Sequence, residues 1–101
     1  MTEIEIRELF GYNVKRLRKS RNISQMQLAE NADMAFNFIS DIENGKKWVS
    51  ADTISKLASA LDVEPYAFFL PEGFDLSKDR NVTAFANDLQ EAYKAIKSRY
   101  V

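Results

Sequence analysis

Residues 23–46 read ISQMQLAENADMAFNFISDIENGK, and the three residues Asn31-Ala32-Asp33 in their middle decide the fold. To their left, Ser24 can cap a helix, with Gln27 three residues on as the second half of a capping box. Ile23 and Leu28 stand at the positions of a hydrophobic staple. The helix so opened ends near Asn31. Asp33 falls where the tight turn asks for a positive φ, a conformation Asp tolerates at some cost. A further helix follows over 35–44. It buries Ile39 and Ile42, with Met34 packing at its entrance, and Gly45 closes it as a left-handed cap.

Working outward, Phe10, Val14 and Leu17 recur at i, i+4 and i+7, the apolar stripe of a first helix from about Ile6 to Lys19. Asn22 sits where that helix needs a left-handed residue. Downstream, Ser50 caps a fourth helix carrying Ile54, Leu57, Ala58 and Leu61, with Val49 and Ile54 as its staple. Glu64-Pro65 begins a short fifth helix with Pro at its first position, bringing in Tyr66, Phe68 and Phe69. PEGFDLSKD then reads as a linker. Beyond it Val82, Phe85, Leu89, Ala92, Tyr93, Ile96 and Tyr100 share one stripe of a long sixth helix.

Composition limits what such a chain can do. Its 101 residues suffice for one modest core, and 46% apolar with 29% charged residues is ordinary for a soluble globular protein. With no Cys and no His, disulfides, thiolate zinc sites, thiol nucleophiles and the commonest general base are all absent. No metal or cofactor site is expected, and a non-enzymatic cytoplasmic protein is. No apolar run reaches the roughly 20 residues of a membrane span, and MTEIEIRELF lacks a signal-peptide pattern. The net charge is −1, but residues 14–21, VKRLRKSR, gather Lys15, Arg16, Arg18, Lys19 and Arg21 without an acid. Lys46 and Lys47 make a second basic point.

Two helices joined by about three residues cross steeply instead of folding back side by side. That is the helix-turn-helix, whose second helix is held out to enter the DNA major groove. The stretches VKRLRKSRNISQMQLAE, ISDIENGK and TISKLASALDVEPY stand in the order and spacing of the phage-repressor/Cro-type (XRE) family, and residues 10–70 resemble it. The fold implied is all-α. It comprises a five-helix lambda-repressor-like domain over 6–70, a linker over 71–81 and the long amphipathic helix over 82–101.

The resemblance also implies roles. Arg18 and Glu43 match the family's ion pair between the first and third helices, with Arg18 near a phosphate. Ser24 and Gln25, at the start of the second helix, match its phosphate contacts, as do Asn44, Lys46 and Lys47 after the third. Its base-reading positions fall on Phe36, Asn37, Ser40 and Asp41. Asn can bond the N6/N7 edge of adenine, Phe can meet a thymine methyl, and Asp can accept from cytosine N4. Asn37 and Asp41 are therefore expected to set which sequence is bound, and Gln25 and Lys47 how tightly any sequence is held. Three positions depart from the pattern: Asp33 replaces the turn Gly, Ala35 the Ser or Thr cap, and Phe36 the usual polar residue. Losing the cap costs about 1 kcal/mol.

Among side chains that read as packing, Phe38 wedges against the loop before the fourth helix and Trp48 forms a lid. The expected function is a sequence-specific DNA-binding transcriptional regulator, a dimeric repressor on a two-fold operator. Prophage repressor, restriction controller and antitoxin with a toxin partner all remain open. The alternative from another class is a protein-interaction adaptor that has lost DNA binding, motivated by the near-neutral charge, Phe36 and Asp41. The last helix either completes the core or packs on its two-fold mate through Phe85, Leu89, Tyr93, Ile96 and Tyr100. The continuity of its stripe favours the dimer.

Overall fold

Capping chemistry sets where each helix begins. In the computed structural model, which describes residues 1–71 and 80–99 and, in the last helix, the side chains of 87–98, α1 spans Glu3–Ser20. It starts three residues before the expected Ile6 because Thr2 and Glu5 close a capping box. The Thr2 hydroxyl accepts from the Glu5 amide at 3.1 Å, and the Glu5 carboxylate accepts from the Thr2 amide at 3.3 Å. Helices α2 (Gln25–Asn31) and α4 (Ala51–Leu61) start at Ser24 and Ser50 as expected. The Ser24 hydroxyl accepts from the Gln27 amide, but the Gln27 side chain turns forward to Asn31 at 2.8 Å, so only half of that capping box forms. Helix α3 (Phe36–Glu43) has Ala35 and Asn44 as its caps, and Ala35 supplies no side-chain bond.

The ends share one device. After α1, α2, α3 and α4 come Asn22, Asp33, Gly45 and Asp62, with φ of 57°, 56°, 70° and 54°. In each case the next amide reaches back to a carbonyl of the last turn: Ile23 to Arg18, Met34 to Ala29, Lys46 to Asp41 and Val63 to Ala58. Ile23, Met34 and Val63 pack against the core, as this motif ordinarily requires. The fourth, Lys46, is exposed. Helix α3 is thus the one of the four that ends in a charge where the others end in a hydrophobe.

Phe10, Val14, Leu28, Ile39, Ile42, Leu57, Leu61 and Phe68 form the core. Each such burial stabilises the fold by about 1.5–3 kcal/mol. The Phe10 ring lies 5.0 Å from Phe68, 5.6 Å from Phe69 and 5.8 Å, edge-on, from Trp48. The expected fifth helix is a 3-10 turn, Pro65–Phe69. Asn13, fully buried, holds it: the amide donates to the Phe68 and Leu70 carbonyls, both at 2.9 Å. Gly11 lets α1 and α3 meet backbone to backbone, since a Cβ there would come within 2.2 Å of the Ile42 carbonyl oxygen.

Helix α5 runs Arg80–Arg99, beginning two residues before the expected 82. Of the expected linker, residues 72–79 lie outside the described residues, as do the Phe85 side chain and Tyr100. Leu89, Gln90 and Tyr93 come beside Glu64, Pro65 and Tyr66 of the 3-10 turn, with a small apolar hollow between them. Leu89, Tyr93 and Ile96 nevertheless stay 39%, 50% and 55% exposed. Among the described residues no helix is long and apolar enough to cross a membrane.

Candidate nucleic-acid interface

Helix α3 has one face committed to the interior. Ile39 and Ile42 are fully buried, and Glu43 is buried beside them. The Glu43 carboxylate takes the Arg18 fork, with Oε2 accepting from Nε at 2.7 Å and Oε1 from Nη2 at 3.0 Å. A third Arg18 nitrogen, Nη1, donates to the Ile23 carbonyl at 3.0 Å. Gln25 Nε2 adds a bond to Glu43 Oε1 at 3.1 Å. One carboxylate therefore ties α1, α2 and α3 together, and bidentate geometry makes the pair directional. The Arg18 and Glu43 side chains are only 10% and 2% exposed. Arg18 was expected to pair and also to lie near a phosphate. Buried at that level with three nitrogens engaged, it is placed for the first role.

The opposite face is open. Phe36 and Asn37 are exposed, with Ser40 and Asp41 half-buried behind them. The helical repeat puts Asn37 at the centre of this face, Phe36 and Ser40 toward α2, and Asp41 toward the chain leaving through Gly45. Ser24, at the mouth of α2, and Asn44, Lys46 and Lys47, beyond α3, are exposed along the rim, while Gln25 is half-buried. All of the expected base-facing and rim residues thus lie around α3 except Arg18, which is turned inward.

Lys47 is not a loose cation. Its Nζ lies 3.4 Å from Asp41 Oδ2 and 5.8 Å from the centre of the Phe38 ring. Phe38 meets this loop as expected, and Trp48 packs edge-on against Phe10 as a lid with one side open to solvent. The basic run at 14–21 is also largely spoken for. Arg16 donates to Asn13 at 3.3 Å, and Arg21 donates to the Leu61 and Asp62 carbonyls at 2.7 and 3.1 Å, neutralising the C-terminal end of α4. Sequence spacing gave no sign of the Arg21 or Gln25 partners, because they lie 40 and 18 residues away.

The fold is shared with known proteins. The Helix-turn-helix (HTH_3) family profile matches residues 14–68. The control protein C.BamHI of Bacillus amyloliquefaciens is 48% identical over 61 residues, spanning 59% of this chain and 75% of that protein. An immunity repressor protein of Bacillus phage phi105 is 35% identical over 54 residues, 54% of this chain and 38% of the repressor. Among solved structures, the restriction-modification controller protein C.AhdI from Aeromonas hydrophila superposes with a TM-score of 0.61 at 35% identity. That match covers 62% of this chain and 96% of C.AhdI.

Proposed function

We propose, from the premise that the chain belongs to the Helix-turn-helix (HTH_3) family and is a DNA-binding transcriptional regulator, that it acts as a dimeric repressor with α3 in the major groove. The observation that carries this reading is the two-sidedness of α3. Ile39, Ile42 and the Arg18–Glu43–Gln25 network fix its inner face, so the outer side chains are presented by a rigid element. Asn37 reads a base edge, Phe36 meets a thymine methyl, and Ser40 bonds a base or a neighbouring phosphate. Ser24, Gln25, Asn44 and Lys46 hold the phosphate backbone on either side.

A single module of this size touches too few base pairs to be selective, so two copies act on two half-sites about one helical turn apart. The bare Leu89, Tyr93 and Ile96 of α5 supply the contact between copies. Of the regulator classes the sequence leaves open, similarity to C.BamHI and C.AhdI supports a controller of a restriction-modification system. Such a protein works in the cytoplasm, where its DNA is. Family membership favours this function over the adaptor alternative.

Selecting bound duplexes from a random pool tests the reading. The expected product is a pair of symmetry-related half-sites whose affinity falls steeply with salt. Retention that does not depend on salt, or no retention at low salt, would defeat it.

A further inference from the structure

Asp41 stands out because a carboxylate on a DNA-facing helix meets phosphates of its own sign. Its position on α3 puts it on the flank rather than the centre of the outer face. Phe38, three residues earlier, shares that flank. The chain leaving α3 is folded against the same side, with the Lys46 amide bonded to the Asp41 carbonyl at 2.9 Å. That bond fixes the backbone next to Lys47, whose Nζ then sits 3.4 Å from the Asp41 carboxylate and over the Phe38 ring. The backbone of Asp41 thus holds the Lys46 amide, and its side chain holds the Lys47 ammonium.

The pair does little for stability. The Asp41 and Lys47 side chains are 32% and 56% exposed, so water and salt screen the attraction. Its effect is on the charge shown to DNA. A free lysine on the rim neutralises one phosphate and releases its counterion, a gain that every sequence shares. A lysine already neutralised by Asp41 contributes little to that term, while the hydrogen bonds of Asn37 to a base are untouched.

Resting on the proposed reading of α3, we propose that Asp41 is a positioning residue that restrains Lys47, and not a base reader. By doing so it lowers sequence-independent binding and so widens the margin between the operator and all other DNA. The carboxylate that could accept from cytosine is engaged by an ammonium instead, one turn on from Asn37 and toward the chain that leaves through Gly45.

The test compares wild type, Asp41→Asn, Lys47→Ala and the double variant on two duplexes, one of random sequence and one selected by wild type, across a salt series. Asp41→Asn is expected to steepen the plot of log affinity against log salt by about 0.9 and to tighten binding to the random duplex. The selected sequence stays the same. In the Lys47→Ala background the same change has no further effect. Asp41→Ser, another small polar side chain, must reproduce the result. A changed consensus, an unchanged salt slope, or an equal gain without Lys47 overturns the proposal. Wild type failing to bind either duplex would instead sink the DNA reading itself, whatever the variants do.

Discussion

The seam between α1 and α3 and the stripe along α5 are both apolar in sequence, yet they end in opposite states. At the seam, Phe10 and Val14 are covered, backbone touches backbone at Gly11, and a buried ion pair locks the crossing. Along α5, Leu89, Tyr93 and Ile96 face solvent, with one edge brushing the 3-10 turn. An apolar period announces that a face needs cover. What names the partner is a device that works at one place only: a glycine with no room for a Cβ, or a charge with a single counter-charge in reach. The seam has both. The described part of α5 has charged residues on its outer turns but no such lock onto the domain.

Gly11→Ala should break the comparison most severely. The added methyl would lie 2.2 Å from the Ile42 carbonyl and 2.9 Å from that of Glu43, both backbone atoms that cannot rotate away. The two helices must separate, at a cost on the order of 4 kcal/mol. A denaturant melt measures it. If the variant is as stable as wild type, the seam is softer than its geometry states and owes its order to something else.

Glu43→Gln comes next, with a loss of about 3 kcal/mol, because the Arg18 guanidinium would stay buried without its counter-charge. Arg18→Met combined with Glu43→Leu should recover most of that loss, since two apolar groups leave no charge stranded. A double-mutant cycle measures the coupling. Additive effects would mean that the pair does not act as a unit, and that Gln25 and Ile23 hold the crossing in its place.

These two sites also show why part of the molecule was legible and part was not. Ser24, Ser50, Asn22, Asp33 and Gly45 act on neighbours within a few residues, and their roles follow from spacing alone. Thr2-x-x-Glu5 is the same kind of signal. It lies outside the apolar period, because the first turn of α1 is exposed and the buried stripe starts only at Phe10. Asn13 is different in kind. Its partners are 55 and 57 residues away, and nothing near it distinguishes a buried amide from a solvated one. In the candidate interface, the outer positions of Phe36 and Asn37 follow from helical period. The tie between Asp41 and Lys47 does not, because it depends on how the chain turns at Gly45.

Ala35→Ser should act in the stabilising direction and by less. Ala35 already has the extended backbone of a cap, with φ −69° and ψ 142°, but no side-chain oxygen for the free amides of α3. A serine there would supply one and add about 1 kcal/mol. This sharpens the comparison, since α3 would then be held at its first turn as well as by Glu43 at its last. No gain in a thermal melt would mean that those amides already find partners in water at no cost.

The smallest effect on stability is expected at α5, and its smallness is the point. Replacing Leu89, Tyr93 and Ile96 together by Ser removes the exposed apolar stripe without touching the core around Phe10. Substitutions at such exposed positions ordinarily change stability by no more than about 0.5 kcal/mol. In dilute solution, where copies are apart, the melt of the domain should therefore match wild type. Sedimentation is where the change appears, with dimer giving way to monomer and binding to a two-half-site duplex weakening. At high concentration wild type alone should gain stability, because association favours the folded state by mass action. A drop of several kcal/mol in dilute solution would show α5 completing its own core. A triple variant that still sediments as a dimer would move the interface off this stripe, leaving the exposed side chains of the domain itself to supply it.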